Sequence, residues 1–162
     1  MMGAGKSTVG RLLAERLALP FADLDSLVEA EAGRAIPEIF AAEGEAGFRA
    51  RERRALEGVA AGPPRVLATG GGAVLDPANR ETLGAAFDRI WLQVKPEEAA
   101  ARVGSGGARA ARPLLAGADA LGALRELEVS RRDAYAAAAD LVVAAGNSGP
   151  EAVAERIHDE IR

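Results

Sequence analysis

The run GAGKST, Gly3 to Thr8, stands at the start of the sequence and leads straight into an apolar-periodic stretch. A glycine-bearing loop that opens a helix lets backbone N–H groups curl around an anion without Cβ obstruction. The positive end of the helix points at the same anion. Gly5, Lys6 and Ser7 supply the right half of the phosphate-loop pattern GxxxxGK[ST]. In that pattern Lys6 reaches the β- and γ-phosphates of a nucleotide, and Ser7 places its hydroxyl on Mg²⁺. The pattern's first glycine would fall ahead of Met1, and so would the apolar strand that feeds such a loop.

The rest of the chain alternates strand and helix signals. Val9, Leu12, Leu13 and Leu17 recur at helical spacing and predict a helix over about Lys6–Leu17. A strand is predicted over Leu19–Asp23, then a short helix carrying Leu24, Leu27 and Val28 that Gly33 ends. Pro37 suits a first helical position, Gly44 interrupts that helix, and an Arg- and Glu-rich helix follows over Glu45–Val59. Further strands are predicted at Arg65–Ala68, Asp88–Val94 and Asp140–Ala144. Further helices are predicted at Pro77–Leu83, from Pro96 to Val103, after Asp119 and after Pro150. This order implies an α/β protein with a parallel sheet and helices on both faces.

Bulk properties narrow the function. The 162 residues fit one domain, taken as 1–162. Without cysteine there is no disulfide framework or thiolate metal site, and with His158 alone there is no histidine cluster. A net charge of −4 and few aromatic residues argue against nucleic acid as a partner. No apolar run approaches a membrane span and no signal pattern is present, so a soluble, cytoplasmic protein is expected.

Asp23 and Asp25 lie at the carboxyl end of the predicted second element, where ligands gather in open α/β sheets. Two apart on a strand, they would share a face, one holding the water shell of a metal and the other taking a hydroxyl proton. Taken alone, Asp25 would serve equally as the cap of a helix beginning near Ser26. Gly70, Gly71 and Gly72 follow a strand directly and allow a ligand close to bare backbone. An inward arginine from GFRARERR would grip a carboxylate with two hydrogen bonds, but spacing does not choose Arg49 over Arg51, Arg53 or Arg54. The segment from Gly104 to Gly117 carries Arg109 and Arg112, with Arg102 just before it, and reads as a lid. Of these Arg112 is favoured over Arg109 for a phosphate contact.

In order, GAGKST, DLD at Asp23–Asp25, GFR at Gly47–Arg49, GGGAV at Gly70–Val74, RPLL at Arg112–Leu115 and RRDAY ending at Tyr135 resemble the shikimate kinase family over essentially the whole chain. The resemblance implies a five-stranded parallel sheet of the nucleoside monophosphate kinase type, in three layers with a mobile lid. It implies transfer of the γ-phosphoryl of ATP to the 3-hydroxyl of shikimate, in chorismate and aromatic amino-acid biosynthesis. Gly3, Ala4, Gly5, Lys6, Ser7 and Thr8 would bind ATP, with Ser7 and, through water, Asp23 on Mg²⁺. Asp25 would bind shikimate and act as base, Arg49 and Arg131 would clamp its carboxylate, and Gly71 and Gly72 would meet its hydroxyls. Arg112 would close on the phosphates and adenine, with Arg102 as the second lid arginine, and Pro150 would pack the adenine. A monomer acting on a small-molecule substrate is expected, with neither nucleic acid nor membrane as partner. The strand ahead of the phosphate loop lies mid-sheet in this fold, so the natural protein is expected to begin upstream of Met1. The rival readings are another small P-loop kinase, for gluconate or a nucleoside monophosphate, and a nucleotide-binding remnant without catalysis.

Overall fold

The computed structural model describes residues 3–105, 119–146 and 148–161. Helix α1, Lys6–Leu17, buries Val9, Gly10, Leu13 and Ala14 on one side. That spacing is one apolar stripe of a helix. Strand β1, Phe21–Asp23, runs straight into α2, Leu24–Ala32, which ends on Gly33 in the left-handed region at φ 63°. Helix α3 spans Ile36–Ala60 with a kink at Gly44, whose φ of 69° no helix interior adopts. Strand β2, Val66–Ala68, is followed by the glycine run, a short 3₁₀ turn at Ala73–Leu75, and α4, Pro77–Ala86, capped by the Asp76 carboxylate. Strand β3, Ile90–Gln93, and α5, Pro96–Ser105, come next. Helix α6, Ala120–Ala138, starts on the Asp119 side chain, which accepts from the Gly122 N–H. Strand β4, Leu141–Ala144, and α7, Pro150–Glu160, close the chain. The element order follows the predicted one; the 3₁₀ turn was not legible, and α5 runs two residues into the segment read as lid.

The strands form two parallel ladders. Phe21 to Asp23 pair with Val66 to Ala68, and Ile90 to Gln93 pair with Leu141 to Ala144. The five-stranded sheet implied by the resemblance is therefore four strands in two pairs among the described residues. Between β2 and β3 lies a slot of about 440 Å³. Val9, Leu13 and Leu17 of α1, Leu67 and Ala68 of β2, Ile90 and Leu92 of β3 and Ile157 of α7 line it. The strands are three or four residues long, and neighbours must sit about 4.8 Å apart to hydrogen-bond, so the two ladders do not join.

The core divides along the same line. One cluster joins Val9 and Leu13 of α1 to Leu92, Val143, Leu124 and Ile157, so α1, α6 and α7 are packed with the β3–β4 ladder. Two others sit under the β1–β2 ladder: Leu24, Leu56, Ala73 and Leu83 in one, and Val28, Ile39 and Phe48 in the other. Among the described residues no helix is long and apolar enough to cross a membrane.

Entry to the second ladder is held by charge. Arg89 donates from its backbone N–H and Nε to Asp140 Oδ2, both at 2.8 Å, and its Nη2 lies 2.5 Å from Oδ1. The hydrogen bonds from Arg89 hold the Asp140 carboxyl at a pKa of about 2. A carboxylate with a depressed folded pKa adds stability above its unfolded pKa and loses it as pH falls through the folded value. Asp140→Asn should therefore lower the melting temperature near neutral pH. The gap to the unsubstituted chain should close as pH falls from about 4 toward 2, read by thermal melts across that range.

Candidate active site

The phosphate loop is built by two left-handed glycines. Gly3 and Gly5 have φ of 72° and 82°. A Cβ on Gly3 would lie 2.6 Å from the backbone oxygen of Ala99, so the loop fits against α5 only as bare backbone. Ala4 is buried in the core beside Val94 and Ala99, which seats the loop, while Ser7 and Thr8 are exposed at the start of α1. The Gly5 carbonyl accepts from Val9 N–H, which begins the helix. The first N–H groups of that helix have no partner within it and carry its positive end. Arg102 donates to the backbone oxygens of Gly3 and Ala145 at 3.4 and 2.8 Å, and to that of Gly146. This fastens α5 to the loop and to the end of β4. Arg102 thus braces the nucleotide side from α5, and the lid segment that follows it from residue 106 lies outside the described residues. Pro150 opens α7 as expected of a first helical residue.

The acceptor side begins one hydrogen bond away. Ser7 Oγ donates to Asp23 Oδ2 at 2.6 Å, joining the phosphate loop to the end of β1. Asp23 also caps α2, accepting from the Asp25 N–H at 3.1 Å. The cap is thus Asp23, and Asp25 stands in the first helical turn beyond the strand. The two carboxylates are brought together by a strand-to-helix turn, not by strand alternation. Ser7 and Asp23 offer hard oxygens side by side, and among the described residues no group of three or more His, Cys, Asp or Glu side chains could hold a metal. Few protein oxygens, completed by water and phosphate, is the donor set that suits Mg²⁺.

Asp25, Glu52 and Arg49 converge on the glycine run. A Cβ on Gly70 would lie 3.0 Å from Asp25 Oδ1 and 3.2 Å from Glu52 Oε1. One on Gly72 would lie 2.5 Å from Arg49 Nη2. Arg49 Nη1 donates to Glu52 Oε2 at 2.7 Å, and Nη2 lies 3.3 Å from Glu45 Oε1. Glu52 is 1% exposed. Burial pushes its pKa up, opposed by the hydrogen bond from Arg49 and reinforced by the nearby Asp25 charge. Burial works against the Arg49 charge as well, but the Glu52 and Glu45 carboxylates overcome it and raise the guanidinium pKa.

The arginines that spacing could not separate are separated by their partners. Arg51 pairs with Glu43 through Nε and Nη2, Arg53 pairs with Asp76, and Arg54 is exposed. Only Arg49 of the four lies on the glycines. On α6, Arg132 turns to Glu128, whereas Arg131 faces the Tyr135 hydroxyl. That hydroxyl donates to the Gly71 oxygen at 2.7 Å. Arg109 and Arg112 lie outside the described residues.

The sequence profile of the shikimate kinase family matches residues 2–162. The chain belongs to the shikimate kinase family. A shikimate kinase from Symbiobacterium thermophilum is 48% identical over 162 residues, all of this chain and 92% of the relative. One from Bordetella pertussis is 47% identical over 147 residues, 91% of this chain and 68% of the relative. Among solved structures, the shikimate kinase of Acinetobacter baumannii in complex with shikimate superposes with a TM-score of 0.93 at 37% identity, covering 99% of this chain and 88% of that one. That of Bacteroides thetaiotaomicron gives 0.90 at 30% identity, covering 99% and 93%. The shikimate kinase fold, an α/β P-loop kinase with parallel strands and helices, is thus the fold of this chain, and ATP is the phosphoryl donor of the family.

Against that family the residue that sequence reading missed is Glu52. Its signal was the three-residue step from Arg49, but Glu45 stands four from the same Arg49 and Glu57 three from Arg54, and only burial singles Glu52 out. Gly72 gives a clean test of the cluster. Its φ of −95° suits any residue, so alanine adds no backbone strain there. The atoms nearest the added methyl all belong to the end of Arg49, and it must push the guanidinium aside. Gly72→Ala should raise the acceptor KM by about tenfold, roughly one good hydrogen bond, at nearly unchanged ATP KM, and should lower the melting temperature as the buried Glu52 loses its partner, read by steady-state kinetics and thermal melts.

Proposed function

We propose that this chain transfers the γ-phosphoryl group of ATP to the 3-hydroxyl of shikimate. The observation that carries the reading is the convergence of Asp25 and Arg49 on the two ends of the Gly70–Gly72 backbone. A base and a carboxylate grip thereby face one bare surface, and Ser7 and Asp23 join that surface to the phosphate loop. A nucleotide-binding remnant has no use for a carboxylate grip. A nucleoside monophosphate offers no carboxylate either, which favours shikimate over that acceptor.

The reaction needs positioning and charge stabilisation more than covalent help. Backbone N–H groups from Gly3 to Thr8 and the Lys6 ammonium hold the nucleotide phosphates. Arg49 and Arg131 fix the shikimate carboxylate, and the Gly71–Gly72 backbone meets its hydroxyls. Asp25 takes the proton of the attacking hydroxyl as the oxygen–phosphorus bond forms, and the bond from γ-phosphorus to the β–γ bridging oxygen breaks to release ADP. Ser7 and Asp23 would hold Mg²⁺, which supplies neutralisation of charge on the β- and γ-phosphate oxygens when bound. The resemblance alone supports a lid over about 104–117, an Arg112 contact to phosphates and adenine, and adenine packing at Pro150. We take residues 1–162 as one kinase domain, working as a monomer in the cytoplasm.

Acceptor-dependent ADP release, with shikimate, gluconate and nucleoside monophosphates offered in parallel, tests the reading. Turnover with shikimate alone is expected, and turnover with another acceptor alone would overturn it. Asp25→Asn should lower kcat by about 10²–10⁴-fold, the usual worth of a general base. Arg49→Ala should raise the shikimate KM by tenfold or more, consistent with loss of a charge-assisted pair at about 1.4 kcal/mol per tenfold, and leave the ATP KM in place.

A further inference from the structure

We infer that the Tyr135 hydroxyl is a positioning group for the acceptor: it locks the Gly71–Gly72 peptide and ties it to Arg131. The inference rests on the kinase reading above and assigns a role to a residue outside the groups that touch substrate.

The hydroxyl donates to the Gly71 oxygen at 2.7 Å. Tyr135 is 9% exposed, its ring 5.6 Å from that of Trp91, so the oxygen is delivered from a fixed platform. The Gly71 C=O and the Gly72 N–H belong to one planar, trans peptide group. Anchoring the oxygen on one side therefore fixes the N–H on the other. Neither flanking residue has a Cβ, so without an anchor this peptide can turn over at little cost. Neighbouring groups are already committed: Ala73 N–H donates to the Gly70 oxygen and Leu75 N–H to the Gly72 oxygen. The Gly72 N–H meets no acceptor among the described residues, and Gly72 is the glycine on which Arg49 lies. A donor held in place beside a carboxylate grip, with no acceptor for it among the described residues, suits an acceptor oxygen.

The same hydroxyl faces a second partner. Burial raises the Tyr135 pKa, and the nearby Arg131 guanidinium works against that rise. The oxygen thus gives to the Gly71 carbonyl and has the Arg131 guanidinium beside it. Arg131 and Tyr135 stand four apart on α6, one above the other on the same face. Tyr135 therefore couples the grip arriving on α6 to the glycine cradle arriving after β2.

Tyr135→Phe keeps the ring and its packing and removes only the hydroxyl. The variant should raise the shikimate KM, and the dissociation constant measured by calorimetry without nucleotide, about tenfold. The ATP KM should stay in place and kcat should change by less than about threefold, a split that general loosening of the core would not produce. An unchanged shikimate constant, or a parallel loss in both substrates and kcat, would overturn the inference while leaving the kinase reading intact. A failure of the unsubstituted chain to bind shikimate would overturn both. A double-mutant cycle with Arg131→Lys supplies the second check: the effects on shikimate binding should be smaller together than in sum, and simple additivity would rule the coupling out.

Discussion

A carboxylate taken out of water organises the acceptor side. Glu52 is 1% exposed on α3, and its charge is tolerable there only because Arg49 meets it at 2.7 Å. The requirement runs both ways, since the half-buried Arg49 needs an anion to remain where it is. The pair fixes the rotamer of Arg49 before any ligand arrives, with the guanidinium laid on Gly72. Ordering a long side chain costs up to about 2 kcal/mol, and here that cost is met in folding instead of in binding. The glycine run, Asp25 and the start of α4 are arranged around this pair.

The nucleotide side is held differently, by close approach of backbone instead of by charge. Gly3 lies against the Ala99 carbonyl, Ala4 is buried beneath it, and Arg102 draws the Gly3, Ala145 and Gly146 carbonyls together. Such a seat leaves the N–H end of α1 uncovered, as anion binding requires. Rigid backbone for phosphates and a charge-locked arginine for a carboxylate are two solutions to one problem, a site that is formed before it is filled.

Much of the fold was legible because its punctuation is chemical. Pro37, Pro77, Pro96 and Pro150 open or nearly open helices, Asp119 caps α6, and Gly33 and Gly44 stand in the left-handed region. Each follows from local backbone preference and needs no tertiary knowledge. The family and the nucleotide loop were legible for the same reason. What was not legible depended on burial and on partners far along the chain. Glu52 looks like any glutamate on a charged helix, Tyr135 meets Gly71 across 64 positions, and Arg102 finds carbonyls on two other segments. The capping role of Asp23 was missed because strand alternation and a strand-to-helix turn both bring Asp23 and Asp25 to one side.

The slot between β2 and β3 divides the machinery as well as the sheet. The phosphate loop is packed with the β3–β4 ladder, whereas Asp23, Asp25 and the glycine run belong to the β1–β2 ladder. The side-chain hydrogen bonds from Ser7 to Asp23 and from Tyr135 to Gly71 cross that line. The alignment of donor and acceptor therefore rests on side chains that span an open slot, not on a continuous ladder of strands. In this chain the registry of donor against acceptor is thus a property of tertiary contacts and not of the backbone ladders.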